Sequence, residues 1–326
     1  MPAEAPYTDT ASLDTLAGSM ATGATQPPAT KPKPKSPARK LKLGDRTGYL
    51  FVAPYILHLL LFFGYPLLFA VVLVFNRWDI VTPMEFVGLK NFGRLIQDDL
   101  FFRAILNTGL FLVIHIPLQI IVALFFAELL NGKLKGRTFF RTIYFLPVVV
   151  SGVVITILFQ QLFAFDTGFI NNVLAAMGGK RVPWLVSPHW AMPSIALMAT
   201  WKNVGLYVIL FLAGLQNIPA SLYEVADIEG ANAWRKWWHI TLPMLNPTVV
   251  TVVLLSTIGG FSLFIEPYVL TGGGPLNSTL SGLLYIYNQA FYFNHMGYAA
   301  ALGLCFALII LGVVVLQRRF VETEVY

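Results

Sequence analysis

The chain has 326 residues, 56% of them hydrophobic and 12% charged, with a mean hydropathy of +0.68 and a net charge of +6. Soluble domains run at roughly 45–50% apolar and about 25% charged, so this composition excludes a water-soluble enzyme, a disordered chain and a nucleic-acid-coating protein. The charge is also segregated: residues 1–46 hold 11 of the 38 charged residues, which leaves 27 for the other 280 positions.

Residues 1–46 are rich in Ala, Thr, Pro and Lys and end in the basic set Lys31, Lys33, Lys35, Arg39, Lys40, Lys42 and Arg46. The apolar run that starts at Tyr49 is too long for a signal peptide, so the segment reads as a disordered basic cytoplasmic tail that anchors topology. A transmembrane domain, 47–326, follows. Tyr49–Asn76, Ala104–Ala127, Thr142–Phe165, Trp237–Ile265 and Pro267–Gln317 carry no charged residue, and Trp190–Gln216 carries only Lys202. A spanning helix needs about 20 apolar residues, and lipid-facing backbone must bond to itself. Six helical spans are therefore expected, near 50–75, 104–127, 142–164, 191–216, 247–270 and 296–317. The ten-residue alternation of a membrane β-barrel is absent.

Basic residues beside the spans give the orientation. The tail, Lys133, Lys135, Arg137 and Arg141, Arg235 and Lys236, and Arg318 and Arg319 place 15 of the 22 basic residues on one side. Arg77, Lys90, Arg94, Arg103, Lys180 and Arg181 fall on the other. Both termini are thus expected in the cytoplasm, which is the parity that six spans require.

One cytoplasmic loop, residues 217–246, differs from its surroundings. Pro219 stops the preceding helix, and Ser221 with Glu224 forms a capping-box pattern that starts a short new one. Leu222, Val225 and Ala226 form its apolar face, with Glu224, Asp227 and Glu229 as polar positions. Gly230 permits a left-handed turn at its end. Trp234, Trp237 and Trp238 share a face of a second helical piece, which Pro243 breaks; Asn246-Pro247 then starts the next span. A helix–glycine–helix tied at both ends to membrane helices is mechanically a lever, although a plain connecting hairpin has the same appearance.

Glu224-Val225-Ala226, Gly230, Ile240 and Leu242-Pro243 resemble the EAA loop of ABC-importer permeases, E-A-A-x3-G-x9-I-x-L-P. Val225 for the first Ala is the one departure. Ala53-Pro54, Tyr144-Phe145-Leu146-Pro147, Ala213-Gly214-Leu215-Gln216, the Tyr268–Pro275 segment with its glycine run, and Asn294 with Gly297 and Ala299 are similar to the carbohydrate-uptake branch of that family. Glu229-Gly230-Ala231 stands where sugar permeases usually have Asp-Gly-Ala. The resemblance covers nearly all of 48–320. It implies an all-α polytopic membrane protein of the type I importer permease fold, in a bacterial or archaeal inner membrane. It further implies a second permease of a different chain, two ATPase subunits and an external solute-binding protein as partners, and a sugar or oligosaccharide as solute. Glu224, Val225, Ala226, Gly230, Ile240, Leu242 and Pro243 would meet the ATPase. The sequence has no G-x-x-x-x-G-K-[ST] phosphate loop. No catalytic role or cofactor is expected in this chain; ATP and Mg would bind the partner.

Polar residues inside a membrane are costly and default to a functional reading. Lys202 and Asn203 fall mid-way along the fourth span, and Ser256, Gly259 and Gly260 mid-way along the fifth. A sugar path also needs apolar faces, which Trp201, Phe261, Leu263 and Phe264 offer. Close helix packing is the competing use of Ser256 and the glycines. His115 and Gln119, one turn apart, read as a packed or hydrogen-bonded pair between helices. Glu266 lies at the outer end of the fifth span, either exposed or at a gate. The five histidines have no metal-ligand spacing, and Cys305, the single cysteine, reads as a small buried hydrophobe. An ion-gradient-driven secondary transporter is the rival reading, but it would favour acidic residues deep in the spans. A membrane enzyme would need a nucleophile–base or metal constellation, and none is legible.

Overall fold

The structure is a computed structural model in which residues 46–132 and 136–321 are described. The tail, all but Arg46, lies outside them, as do Lys133 and Lys135. The chain divides at His58/Leu59 into two units. The described part of the first is an apolar helical segment, and the fold of the second, Leu59–Tyr326, follows.

Helices dominate. They are α1 (Tyr49–Val74), α2 (Lys90–Ile96), α3 (Asp99–Asn131), α4 (Arg137–Val149), α5 (Gly152–Leu162), α6 (Phe169–Ala176) and α7 (Pro188–Gln216). Then come α8 (Ala220–Ile228), α9 (Ala233–Met244), α10 (Asn246–Phe261), α11 (Ile265–Leu270), α12 (Gly282–Tyr287) and α13 (Met296–Val321). The described strands are the two-residue β1 (Asn76–Arg77) and β2 (Glu85–Phe86), antiparallel with Asn76 opposite Phe86.

Among the described residues, four helices (α1, α3, α7 and α13) are long and apolar enough to cross a membrane alone. Two bent pairs raise the number to as many as six if each pair makes one span. The expectation of unbroken rods at 142–164 and 247–270 is corrected here. Val150 is extended and Ser151 is also outside the helix, and α4 and α5 meet at 98°. The fifth apolar run stops at Phe261; Ser262–Phe264 leave the helix, and α11 begins at Ile265. Hydropathy reports whether a segment suits lipid, not whether its backbone stays straight. Such breaks are tolerated only where protein or a polar cavity satisfies the freed groups.

Helix α7 is the hub, with 61% of its apolar window buried against 6% for α1. It packs on α3, α4 and α10. Phe211, Leu215, Leu130 and Leu245 form one buried cluster around it, and Met192, Ile195, Met198, Phe111 and Phe163 form another. Glycines allow the closest approaches: a Cβ on Gly260 would lie 2.3 Å from Leu112 Cδ2, and one on Gly297 would lie 1.8 Å from the Asn76 carbonyl oxygen.

Asp98 ties α3 to the far end of the chain. Its Oδ1 caps α3 by accepting from the amides of Leu100 (3.1 Å) and Phe101 (3.2 Å). Its Oδ2 accepts from the hydroxyls of Tyr285 (2.5 Å) and Tyr298, and the Arg94 guanidinium stacks 4.0 Å over the Tyr298 ring. Partial burial raises the Asp98 carboxyl, but the tyrosine and amide hydrogen bonds outweigh it and hold the group below its ordinary 3.8. A carboxyl lowered on folding stabilises the protein above its unfolded value, and that stability is lost as pH falls through the folded value. Asp98→Asn keeps the cap and loses the double acceptor. It is expected to cost about 1 kcal/mol at pH 7, the figure for charged hydrogen bonds discounted for partial exposure. Thermal unfolding of the two proteins should converge as the pH falls below the range in which Asp98 ionises.

Candidate functional site

Six of the nine path candidates named from the sequence come together. Lys202, Asn203, Ser256, Gly259, Gly260 and Leu263 all line one cavity of about 260 Å³ between α3, α7, α10 and the break that follows α10. The spacing explains how. Ala199, Lys202, Asn203 and Tyr207 form one face of α7, and Ser256, Gly259 and Gly260 one face of α10, while Phe111 and His115 face them from α3. Larger recesses, of about 370 and 450 Å³, are lined mainly by aromatic and apolar side chains.

Each polar residue has a defined setting. Lys202 Nζ donates to Glu266 Oε1 at 3.1 Å, and the two side chains are 17% and 11% exposed. Glu266 is thus not exposed. The break at Ser262–Phe264 turns it inward, and Ser262, Leu263 and Ile265 of the same segment line the cavity with it. Asn203 Nδ2 donates to the Ala199 carbonyl (2.9 Å). His115 Nδ1 bonds Thr200 Oγ1 (2.9 Å), and its ring stacks on Phe111. Gln119 is fully buried, and neither of its amide atoms has a hydrogen-bond partner among the described residues, so it packs without bonding. The two glycines differ: a Cβ on Gly260 would strike Leu112, whereas one on Gly259 would meet nothing within 4 Å. Gly260 therefore serves packing as well as lining, and Gly259 faces open space. Trp201 and Phe264, offered from the sequence as sugar-facing rings, do not line this cavity, and neither does Phe261.

The second candidate region is the hairpin α8–α9. Gly230 adopts φ +74°, as its place in the sequence requires. The Ala231 amide donates to the Ala226 carbonyl (2.9 Å) and closes the end of α8. Asn232 caps α9 by accepting from the Arg235 amide (2.8 Å). Two contacts fix the hairpin: Lys236 pairs with Asp227, and the Tyr223 hydroxyl bonds Thr241 Oγ1 (2.8 Å). Tyr223, Trp237, Ile240 and Leu242 pack against the buried cluster at the ends of α3 and α7.

Two sequence expectations are corrected in this hairpin. Helix α8 starts at Ala220 with Pro219 before it, and no side chain caps it, so the Ser221–Glu224 box does not form. Pro243 stays within α9; the 60° bend falls at Leu245, two residues later. Leu222, Val225 and Ala226 share a face of α8 as expected, but that face is only partly covered. Ala226 is buried, while Val225 is 54% and Ile228 86% exposed with Leu222 beside them. Glu224, Glu229 and Gly230 are exposed as well.

Residues 119–323 match the family model described as binding-protein-dependent transport system inner membrane component. The chain belongs to this family. It is 39% identical over 280 residues to the arabinooligosaccharides transport system permease protein AraP of Bacillus subtilis strain 168, covering 83% of this chain and 87% of that one. It is 41% identical over 272 residues to the lactose transport system permease protein LacF of Rhizobium radiobacter, covering 82% and 91%. Among solved structures it is similar to a chain of a bacterial ABC transporter involved in the import of the acidic polysaccharide alginate. That similarity has a TM-score of 0.74 and 26% identity, and covers 86% of this chain and 97% of that one. The protein is thus a multi-pass inner-membrane permease of a binding-protein-dependent ABC importer, whose ATPase is a separate subunit. The ion-gradient reading is set aside on this assignment.

Sequence reasoning overlooked Tyr207, Phe111 and Ser262, and did not place His115 or Glu266 in this site. Tyr207 was findable, because it follows Asn203 by one turn on the same face of α7. Glu266 was not, because only the backbone break carries it to Lys202.

Proposed function

We propose that this permease carries a sugar or oligosaccharide through the Lys202–Ser256 cavity and takes its energy from an ATPase docked on the α8–α9 hairpin. The observation that carries the reading is the convergence of Asn203, Ser256, Gly259 and Lys202 from separate helices on one space. Hydroxyl and amide groups beside the rings of Phe111 and Tyr207 match a polyhydroxylated solute, which needs both hydrogen bonds and apolar faces. Relatives named for arabinooligosaccharide and lactose transport support the same solute class. A second, different permease chain completes the path, and ATP with Mg binds the ATPase partners alone.

The exposed Leu222, Val225 and Ile228, beside Glu224 and Glu229, form an apolar strip with acidic borders suited to a cleft in that ATPase. The hairpin is anchored to the ends of α3 and α7, so a displacement of α8 reaches the helices that line the cavity. The segregation of basic residues supports the hairpin and both termini lying on the cytoplasmic side.

Gly259→Trp tests the path. A Cβ at Gly259 meets nothing within 4 Å, so the added side chain starts into open space, and the complex should assemble and retain basal ATP hydrolysis. Uptake in proteoliposomes with the binding protein present should fall about 10-fold or more, as expected when a bulky group fills a ligand site. Undiminished uptake would rule the cavity out as the path.

A further inference from the structure

A lone lysine inside a sugar path suggests an anion site, and the structure reverses that reading. We propose that Glu266 sets the charge specificity of the cavity: it cancels Lys202, so that the path accepts uncharged glycans and disfavours glycans bearing carboxylates. The inference rests on the assignment of this cavity as the solute path.

The lining of the cavity contains one lysine and one glutamate and no other Lys, Arg, Asp or Glu. Those two are bonded to each other at 3.1 Å. The pair is held from three directions. Lys202 comes from α7, and Glu266 comes from α11, turned inward by the break at Ser262–Phe264. The third is Gly152 at the α4–α5 bend, where a Cβ would lie 2.8 Å from Lys202 Nζ, so the ammonium lies close against the bend. The rest of the polar lining is Asn203, Tyr207, Ser256, Ser262 and His115, and the His115 Nδ1 is engaged by Thr200.

Charge in a poorly solvated space needs a partner of opposite sign. A carboxylate-bearing glycan entering here finds Lys202, the only Lys or Arg of the lining among the described residues, already neutralised. It must compete with Glu266 for Lys202, and whichever carboxylate loses is left uncompensated. A neutral glycan makes no such demand, because hydroxyls bond to amide and hydroxyl groups without separating the pair. Specificity then follows from repulsion of the wrong solute as much as from attraction of the right one. A pair that merely clamps α7 to α11 would influence every solute alike, which separates the two roles experimentally.

The test uses the complete importer in lipid nanodiscs without its binding protein, which would impose a selectivity of its own. Equilibrium binding is measured for a neutral panel (lactose, maltotriose, arabinotriose) and a uronate panel (trigalacturonate, trimannuronate). The intact complex should bind a neutral member about 10-fold or more tighter than either uronate. Glu266→Gln, which exposes the lysine charge, should shift that ratio towards the uronates by about 10-fold or more, the scale seen when charge complementarity changes at a binding site. Lys202→Met with Glu266→Gln removes both charges and should restore the preference for neutral glycans. Equal binding of both panels by the intact complex overturns the proposal, as does a Glu266→Gln variant that weakens both panels in proportion. Binding to neither panel, or binding undisturbed by Gly259→Trp, overturns the path assignment itself.

Discussion

Gly230→Pro is expected to abolish transport while the helices around α7 stay folded. Gly230 holds φ +74°, and the proline ring fixes φ near about −65°. The substitution also removes the amide that donates to the Asp227 carbonyl at 3.1 Å. The turn that joins α8 to α9 must therefore be rebuilt, and α8 leaves the position fixed by the Lys236–Asp227 pair and the Tyr223–Thr241 hydrogen bond. Gly230→Ala is the milder control. Its Cβ meets nothing within 4 Å, so only the left-handed penalty of about 1–2 kcal/mol applies, and partial activity should remain. Co-purification of the ATPase and solute uptake in proteoliposomes read the result. A proline variant that retains both would show that the hairpin is a connector and not a lever.

Gly205→Ala is expected to be strongly destabilising. A Cβ at this position of α7 would sit 2.1 Å from the Tyr144 carbonyl oxygen and 3.0 Å from the Phe145 Cα. These are backbone atoms of α4, so no rotamer change relieves the clash, and the two helices must separate. Overpacking a tight core costs about 1–3 kcal/mol, and a clash with backbone belongs at or above the upper end. The thermal midpoint of the solubilised complex should fall accordingly. Gly303→Ala on α13 is the matched control: nothing lies within 4 Å of its Cβ. The intrinsic helix preference of alanine, about 1 kcal/mol over glycine, should leave that variant as stable as the parent or more so. Equal losses at the two positions would mean that α4 and α7 are not in the close contact described.

The lysine carries the clearest lesson about what was legible. Lys202 was visible as an intramembrane charge because its surroundings in the sequence are uncharged. Its partner was not, since Glu266 lies 64 positions away, beyond a charge-free run that reads as one continuous span. The same limit explains the α4–α5 bend. Thr142–Phe165 carries no charge to divide it, and the 98° turn falls at Val150–Ser151, beside a Ser151-Gly152 pair that a charge count passes over. In the hairpin, Gly230 was read correctly because a positive φ is a local demand. The apolar face of α8 was legible too, but not that tertiary packing covers Ala226 and leaves Val225 exposed.

The sequence by itself determined what can be decided residue by residue or segment by segment. Charge-free runs specify which segments suit lipid, basic residues mark one side, and a glycine marks a left-handed turn. The spacing of the EAA-like loop also led to the family that the comparisons establish. The tertiary structure alone decided which segments bend and which glycines pack, and that a lysine and a glutamate meet in the cavity. Those outcomes depend on contacts between helices distant in sequence, where burial and charge pairing act across space and leave no local signature.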